Sequence, residues 1–302
     1  MRLFCLVCLR RARTITGKEG FELELRDILR EALCALADYG IENAGFEARL
    51  ILEKAGISQM KILSEPRGSI PPDAAENVRR MTEKRVSGYP LQYILGEWEF
   101  FGLPFKVGEG VLIPRQDTET LVEIAADFLK TRQDNERRVL DLCAGSGCIG
   151  ITLAKLYGAE ATLVEKSEKA FSYLEQNISL NGVKSQCKAL LGDCFDERII
   201  NGEYDLILSN PPYLTEKDMQ NLQREVSFEP QEALFGGEDG LDFYRALLEK
   251  YPKKLKSNGL FAVEIGRGAE KDVAEMFRKS GLEPFLEKDY SGIIRTVYGV
   301  KY

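Results

Sequence analysis

The pattern of apolar and polar residues divides the chain into an N-terminal helical part and a longer part in which strands and helices alternate. Between residues 25 and 36, apolar side chains recur every three or four positions, as on an amphipathic helix, and Gly40 lies just past its end. Further helices are predicted at residues 47–54 and from the end of the Pro71-Pro72 pair to Gly88. Helices this short bury little surface alone, so residues 21–90 are predicted to form one small helical domain.

The character of the sequence changes after this domain. Residues 93–107 place aromatic and β-branched side chains around Gly102-Leu-Pro104, which predicts a β-hairpin, and residues 91–113 are interpreted as the linker that contains it. Over residues 114–302, short apolar runs alternate with helical patterns. Such alternation predicts an α/β domain with a mostly parallel, doubly wound sheet. Strands are predicted at residues 139–142, 162–164, 189–191, 206–208, 260–265 and 293–300, and helices from Cys148, Glu168, Leu241 and Ala269.

Composition narrows the classes of chemistry. The 302-residue chain carries 41 Lys and Arg against 48 Asp and Glu, which gives a net charge of -7. The chain therefore has no overall positive field to attract a phosphate backbone, although a local basic patch is still possible. The chain has no histidine, which removes imidazole as general base, triad member and metal ligand. Seven cysteines, an odd number, favour a reducing compartment over a disulfide scaffold, and the cytoplasm is the expected location.

The first residues differ from the rest. Up to residue 18 there is no acid, and four arginines and one lysine surround the apolar run Leu3–Leu9, which is too short to cross a bilayer. Residues 1–20 are therefore predicted to be a flexible or loosely docked extension, with an organelle-targeting leader as the alternative. Cys5 and Cys8 form a C-x-x-C, but without a second pair we expect two ordinary thiols and no metal site.

A glycine loop joins the first strand of the α/β domain to its helix. Within Asp141–Gly150, the glycines at 145, 147 and 150 satisfy G-x-G-x-x-G, a turn whose backbone N–H groups can approach a ligand. Glu165 closes the next strand, where a carboxylate can accept hydrogen bonds from ribose hydroxyls. Together they predict an adenosine-cofactor site that includes the loop residues Ala144, Gly145, Ser146 and Gly147.

The charge of Asp141 discriminates between cofactors. A carboxylate at this strand end repels the pyrophosphate of a dinucleotide, whereas it attracts the sulfonium and ammonium of S-adenosylmethionine. The pattern therefore favours S-adenosylmethionine, and a plain turn-capping carboxylate is the alternative for Asp141. Asp193 ends the third strand at the same edge, where it either binds the adenine amino group or serves as an ordinary turn residue.

Asn210-Pro-Pro-Tyr213 follows the fourth strand at the edge where ligands of such sheets bind. Pro211 and Pro212 have fixed φ angles and no N–H, so nearby carbonyl oxygens can face outward as acceptors, and Asn210 adds a side-chain acceptor. Two acceptors at a fixed separation suit a planar NH2 group, while Tyr213 offers a ring for stacking. An amide or exocyclic amine is a poor nucleophile that gains from such alignment, and no histidine is needed because the methylated nitrogen becomes acidic.

The sequence closely resembles the peptide chain release factor glutamine methyltransferases over residues 22–300. The resemblance implies a seven-stranded, Rossmann-like class I methyltransferase domain that uses S-adenosylmethionine to modify the glutamine of the Gly-Gly-Gln loop of release factors. It also implies that Asn210 and the Pro211 carbonyl hold the substrate amide, that Tyr213 packs against it, and that the helical domain docks the factor. The family often has aspartate where Glu165 stands here. The motifs that carry the resemblance are residues 90–96, 112–119, 141–150, 210–213 and 229–241.

Other residues allow two interpretations. Asp117 or Thr118 is expected to cap the helix that begins there, and lining the pocket is the alternative for Arg115 and Thr118. Phe101, or Phe100 beside it, is a candidate wall of the substrate site, although core packing of the hairpin is the commoner role. Glu264 at the end of the fifth strand is open to either a structural or a functional role.

Two other classes of protein compete with this interpretation. An Asn-Pro-Pro-aromatic motif also suits the adenine amino group, so a DNA or RNA methyltransferase is the main alternative, but it would need a cationic surface. A noncatalytic cofactor-binding protein is the other. We expect a monomer that acts on release factors without direct contact to nucleic acid or membrane.

Overall fold

The computed structural model describes residues 23–132 and 137–302. The predictions for residues 1–20, including those for Cys5 and Cys8, lie outside the described residues. The chain separates into two compact units, one ending at Leu95 and the other beginning at Gly96. Among the described residues, no helix has both the length and the apolar character that crossing a membrane requires.

The first unit is helical, as predicted. Its first helix buries an apolar stripe that includes Leu25, Ile28 and Leu36. Gly40 ends this helix with φ 97°, and its N–H donates to the carbonyl of Ala37. The second helix begins a turn earlier than predicted. Residues 59–64 form a helix that was not predicted, although Ser58 caps it. The helices are Leu25–Tyr39, Ala44–Lys54, Gln59–Ser64, Pro72–Val86 and Leu91–Leu95.

The predicted hairpin is present within residues 93–107, and it begins after Leu95 because Leu91–Leu95 is helical. Its strands are Glu97–Phe100 and Leu103–Lys106, which pair antiparallel. Phe101 and Gly102 form the two-residue turn with φ 52° and 74°, as primed hairpin turns require.

Asn177 attaches the hairpin to the rest of the second unit. Its side chain is fully buried; it accepts from the Lys106 N–H at 2.6 Å and donates to the Lys106 carbonyl at 3.1 Å. The same amide donates to the carbonyl of Ser146 at 2.9 Å. One buried amide therefore fixes both the hairpin and the glycine loop.

The second unit contains a seven-stranded sheet, which confirms the doubly wound fold. Labelled in chain order from β3 after the hairpin strands β1 and β2, its strands are β3 Arg138–Leu142, β4 Glu160–Glu165, β5 Cys187–Leu191, β6 Tyr204–Ser209, β7 Leu255–Glu264, β8 Glu283–Lys288 and β9 Ile294–Val300. Their spatial order is β5-β4-β3-β6-β7-β9-β8, parallel from β5 to β7 and antiparallel beyond. The predicted strands are all present, and β8 is the strand that prediction missed. It lies at the edge with most residues exposed, so it lacks an apolar run.

Helices cover both faces of the sheet. One face packs residues such as Leu121, Ile151 and Leu174 against the strands, and the other packs Tyr244 and Phe277. Each side excludes water from a separate apolar layer, as expected for a doubly wound sheet. The helices of this unit are Glu119–Lys130, Cys148–Tyr157, Glu168–Leu180, Glu216–Met219, Asp242–Lys250 and Glu270–Lys279.

The register of β3 and β6 decides where the functional loops emerge. Leu142 pairs with Ser209 at the carboxyl ends of the two strands. The buried Ser209 hydroxyl donates to the Leu142 carbonyl at 2.7 Å, beyond which the ladder stops. The glycine loop and the Asn-Pro-Pro-Tyr segment therefore leave the same edge of the sheet side by side.

Candidate active site

A cavity of about 700 Å³ opens at this edge, entirely within the second unit. That volume is in the range of small-molecule sites, which run from about 300 to 1,000 Å³. Among the predicted site residues, those that line it are Arg115, Ala144, Gly145, Ser146, Glu165, Asp193, Asn210 and Pro212. The predicted site residues that do not line it are Phe101, Asp141, Gly147, Pro211 and Tyr213.

The glycine loop needs its glycines for two different reasons. Gly145 and Gly147 have φ of 56° and 80°, in the left-handed region that other residues avoid. A Cβ at Gly147 would also lie 2.4 Å from Leu174, whereas a Cβ at Gly145 would meet nothing within 4 Å. The backbone at Gly145 therefore faces open space at the cavity, where a ligand can approach it closely.

Glu165 lies on the cavity wall and holds the loop at the same time. One of its carboxylate oxygens accepts from the Gly145 N–H at 2.7 Å, and the other accepts from the Ser167 N–H at 2.7 Å. Burial raises the pKa of Glu165, and these two N–H groups oppose the shift. Because each carboxylate oxygen has a second lone pair, Glu165 keeps acceptor capacity for a ligand hydroxyl.

Asp141 is fully buried beneath the glycine loop instead of standing on the cavity wall. One oxygen accepts from the Gly150 N–H at 2.9 Å, a contact that a Cβ at Gly150 would crowd at 3.1 Å. The other oxygen is buried without a hydrogen-bond partner. Burial raises the pKa of Asp141 to about 7, with a smaller contribution from the charge of Glu165. These contacts match the turn-capping interpretation, and the unpartnered oxygen leaves a negative potential under the loop.

Asp193 has the contacts of a turn residue and also lies on the cavity wall. Its side chain accepts from the Phe195 N–H at 2.8 Å, as in a turn, and forms an ion pair with Lys166 at 2.9 Å. It also lines the cavity and keeps 34% of its side-chain area exposed. A carboxylate oxygen is therefore available to a ligand donor at this end of the cavity.

Asn210 presents its carbonyl oxygen rather than its NH2 group as the free side-chain atom. The Nδ2 atom donates to the hydroxyl of Thr118 at 3.1 Å, so the Oδ1 atom is left to accept. Pro212 follows on the cavity wall. The Tyr213 ring packs over Gly266, where a Cβ would lie 3.0 Å from the ring, and its hydroxyl donates to Glu264 at 3.4 Å.

A second glycine-rich segment clamps the Pro-Pro-Tyr backbone. A Cβ at Gly236 would lie 2.6 Å from the Pro212 carbonyl, and a Cβ at Gly240 would lie 2.5 Å from the Tyr213 carbonyl. Backbone hydrogen bonds of 2.8 and 2.9 Å flank this contact, from the Leu214 N–H to the Leu234 carbonyl and from the Gly236 N–H to the Leu214 carbonyl. Close backbone packing therefore fixes the Asn210-Pro-Pro-Tyr213 segment.

Two predictions about side-chain positions need correction. Thr118 occupies the cap position of helix Glu119–Lys130 without a side-chain cap bond, because its hydroxyl donates to Glu264 at 2.6 Å instead. Asp117 forms an ion pair with Arg295 at 3.2 Å. Thr118 lines the cavity, which was the alternative interpretation.

Phe101 is the other correction. It sits in the hairpin turn, donates its N–H to Glu119 at 3.0 Å and packs against the apolar core instead of the cavity. Phe100 is buried edge-to-face against Phe105, with 6.1 Å between the ring centres. Turn geometry thus directs both aromatic rings toward the core.

Arg115 stands on the cavity wall with its charge already paired. Its guanidinium forms an ion pair with Glu229, which is 4% exposed and also accepts from the Ile113 N–H at 3.1 Å. Prediction missed this buried carboxylate, although the sequence Glu229-Pro230 was among the resembling motifs. The ion pair and this hydrogen bond fix residues 113–115, which precede Thr118.

The sequence left the role of Glu264 open between a structural and a functional one. It is 1% exposed, it ends β7 beside β6, and it accepts from both Thr118 and Tyr213. Burial raises its pKa to about 7, while the donors and the charge of Arg295 oppose that shift. Because parallel strands end at one edge, the strand-end position of Glu264 was the signal for its place beside the Asn210 segment.

Two family models match the two units of the chain. The model described as "PrmC N-terminal domain" matches residues 27–96, and the model described as "Methyltransferase small domain" matches residues 118–237. The first match covers the helical unit and the second covers the glycine loop, Glu165 and the Asn-Pro-Pro-Tyr segment.

Comparison with solved structures supports the fold alone. A methyltransferase from Pyrococcus furiosus aligns with a TM-score of 0.51 at 19% identity, over 75% of this chain and 98% of its own. The hMettl16 catalytic domain, in complex with the MAT2A 3'UTR hairpin 6, aligns with a TM-score of 0.55 at 17% identity, over 76% of this chain and 82% of its own.

Curated relatives share much more of the sequence. A release factor glutamine methyltransferase of Geobacter sulfurreducens is 38% identical over 279 residues, 91% of this chain and 96% of the relative. That of Thermodesulfovibrio yellowstonii is 40% identical over 236 residues, 74% of this chain and 81% of the relative. That of Clostridium botulinum is 34% identical over 283 residues, 92% of this chain and 99% of the relative. The chain belongs to the release factor glutamine methyltransferase family, of the S-adenosylmethionine-dependent class I methyltransferases.

Proposed function

We propose that this protein transfers the methyl group of S-adenosylmethionine to the side-chain amide nitrogen of the glutamine in the Gly-Gly-Gln loop of peptide chain release factors, in the cytoplasm. The observation that carries the proposal is the rigid Asn210-Pro-Pro-Tyr213 segment beside the glycine loop at one sheet edge. The names of the relatives support the identity of the acceptor.

Residues Asn210-Pro-Pro-Tyr213, here called the acceptor segment, suit a carboxamide. The lone pair of an amide nitrogen is delocalised, so the nitrogen must be aligned with the methyl carbon while acceptors draw on its two hydrogens. The Oδ1 atom of Asn210 and the Pro211 carbonyl are the proposed acceptors, and Pro212 shapes the wall beside them. Alignment contributes roughly 7 to 11 kcal/mol, and one preorganised polar contact about 3 to 4 kcal/mol.

Tyr213 has a different part in this proposal from the one the sequence suggested. Its ring and hydroxyl are engaged with Gly266 and Glu264, so it supports the acceptor backbone from behind. Burial raises the pKa of its hydroxyl, which therefore stays protonated and keeps donating to Glu264. Tyr213 contributes rigidity, and substrate contact is left to Asn210 and the Pro211 carbonyl.

The cavity fits S-adenosylmethionine. Bound there, the cofactor supplies a methyl group made electrophilic by the adjacent sulfonium. Glu165 would accept from the ribose hydroxyls, Asp193 from the adenine amino group, and the backbone of Ala144 to Gly147 would lie along the ligand. Asp141 acts through the loop, where its unpartnered oxygen favours a cationic ligand above it.

We assign docking of the release factor to the helical unit. Its helix Gln59–Ser64 exposes two large apolar side chains, Met60 at 78% and Leu63 at 76%, and Phe46 is 57% exposed. Met60 and Leu63 lie three positions apart on one helix and so share a face, and contiguous exposed apolar side chains are typical of protein contact surfaces. The adenine amino group is not favoured as the acceptor, because the relatives at 34–40% identity carry the release factor name and the net charge is -7.

Mass spectrometry tests the acceptor directly. A release factor incubated with the protein and S-adenosylmethionine is expected to gain the mass of one methylene on the Gly-Gly-Gln peptide, with fragmentation placing the gain on the glutamine side chain. The matched control is the same factor with that glutamine changed to alanine. Transfer of label to oligonucleotides, with every polypeptide unlabelled, would overturn the proposal.

Asn210→Ala is expected to lower kcat about 100-fold or more while the affinity for S-adenosylmethionine changes little, because the variant removes an acceptor for the amide. Turnover with a release factor gives kcat, and calorimetry gives the cofactor affinity. Near-normal turnover would discard the role of Asn210.

Gly236→Ala tests the clamp on the acceptor segment. Its Cβ would lie 2.6 Å from the Pro212 carbonyl, so the backbone must shift and kcat is expected to fall by about 10-fold or more, since small misplacements at a reacting centre are costly. Gly45→Ala is the matched control, because the nearest atom to its Cβ lies 3.8 Å away. Equal activity of the two variants would contradict the clamp.

Asp141→Asn separates charge from shape. Because the folded state raises the pKa of Asp141 from 3.8 to about 7, its ionisation destabilises the fold increasingly as pH rises between those values. The variant is therefore expected to gain thermal stability relative to the unchanged protein more at about pH 8 than at about pH 5, and to bind S-adenosylmethionine more weakly.

The control is Asp205→Asn, since Asp205 is buried but ion-paired with Lys256 at 2.9 Å, and its loss is expected to destabilise the fold. Thermal unfolding at both pH values and calorimetry with the cofactor provide the measurements. A stability difference for Asp141→Asn that does not change with pH would refute the charge argument.

A further inference from the structure

Three separate segments meet behind Asn210 in a chain of hydrogen bonds. The Nδ2 atom of Asn210 donates to the Thr118 hydroxyl at 3.1 Å, and that hydroxyl donates to Glu264 at 2.6 Å. Thr118 is 2% exposed and Glu264 is 1% exposed, so water does not compete for these atoms. These hydrogen bonds thus link the start of helix Glu119–Lys130, the end of β6 and the end of β7.

The carboxylate sets the direction of this chain. An ionised carboxylate is an acceptor only, so the single proton of the Thr118 hydroxyl must point to Glu264. The oxygen of that hydroxyl can then only accept, and the partner it accepts from is the NH2 group of Asn210. The carbonyl oxygen of Asn210 is consequently the atom that remains for the substrate.

The opposite direction becomes available when Glu264 is protonated. A carboxylic acid can donate to Thr118, which frees the Thr118 proton to donate to the Asn210 carbonyl oxygen. Asn210 would then turn its NH2 group toward the cavity, where it would repel the hydrogens of an incoming carboxamide. The two protonation states of Glu264 therefore favour opposite orientations of one side-chain amide.

We infer that Thr118 and Glu264 are positioning residues that hold Asn210 with its carbonyl oxygen toward the substrate amide. The inference rests on the proposed function and adds to it the reason why Asn210 accepts rather than donates. Cooperative hydrogen bonding strengthens the effect, because the negative charge of Glu264 polarises Thr118 and Asn210 in the same sense.

The groups that face Glu264 are consistent with an ionisation near neutral pH. Burial is the largest influence and raises the pKa of Glu264 to about 7. Thr118 and Tyr213 donate to its carboxylate, and the positive charge of Arg295 opposes the shift. Asp117, whose charge adds to the shift, also lies close to it, as do the Cys148 thiol and Tyr244, whose hydroxyl donates to the Glu264 backbone carbonyl.

The expected pH dependence follows in sign. The ionised form of Glu264 imposes the productive orientation, so kcat is expected to rise with pH through about 7 in the unchanged protein and to fall below it. Asp141 titrates in the same range, but it is not part of this hydrogen-bond chain. Asp141→Asn should therefore retain the rise in kcat, whereas Glu264→Gln should lose it.

The matched pair T118V and T118S tests the chain. Valine has the shape of threonine without the hydroxyl, and T118V is expected to lower kcat about 10- to 100-fold, the effect of losing one hydrogen bond to a charged group, and to flatten the pH profile. Serine keeps the hydroxyl, so T118S is expected to recover most of that turnover and the pH profile. Thermal unfolding and S-adenosylmethionine affinity are measured for both variants.

Each outcome has one meaning. Turnover of T118V equal to that of the unchanged protein, equal impairment of T118S and T118V, or loss of kcat in proportion to cofactor affinity would overturn the inference. A T118V variant that does not fold leaves the decision to Glu264→Gln, whose unchanged pH profile would also overturn it. If the unchanged protein binds S-adenosylmethionine but methylates no release factor, the proposed function fails instead.

Discussion

The parallel pairing of β3 with β6 is the constraint on which the rest of the site depends. Leu142 pairs with Ser209, and the Ser209 hydroxyl binds the last carbonyl of β3 at 2.7 Å. The glycine loop and the Asn210-Pro-Pro-Tyr213 segment start from these two residues. A shift of one residue in this register would turn every side chain of one strand to the other face, so the ladder sets the distance between the two segments that line the cavity.

Close backbone contact then holds both loops in place. Gly150 lets Asp141 reach its N–H, and Gly236 and Gly240 let a second segment press against the Pro212 and Tyr213 carbonyls. Glycine costs conformational entropy on folding, of roughly 0.5 to 1 kcal/mol relative to alanine. Here the absence of a Cβ permits contacts that no other residue allows, and the result is that backbone packing fixes the Asn210-Pro-Pro-Tyr213 segment.

The sequence was sufficient to predict which segments meet at the sheet edge, because alternation of strands and helices defines that edge and the glycine loop and Asn210 follow predicted strands. It did not predict where individual side chains point. Thr118 stands at a helix start but binds Glu264, and Phe101 turns to the core because the hairpin turn directs it there. Strand β8 was not predicted because most of its residues are exposed and it lacks an apolar run. Local rules hold for backbone elements, whereas hydrogen bonds between distant segments decide these side chains.

Two carboxylates, Asp141 and Glu264, are buried near the carboxyl edge of the sheet. Burial raises the pKa of Asp141 and of Glu264 to about 7, so both change charge near neutral pH in a chain that contains no histidine. A raised pKa means that the folded state resists ionisation, and both groups therefore reduce stability as pH rises from their ordinary values through about 7. The cationic ligand that we propose for the cavity would offset the cost at Asp141, and the hydroxyl groups of Thr118 and Tyr213 offset the cost at Glu264. The same burial that weakens the fold at these points therefore makes each carboxylate responsive to what binds beside it.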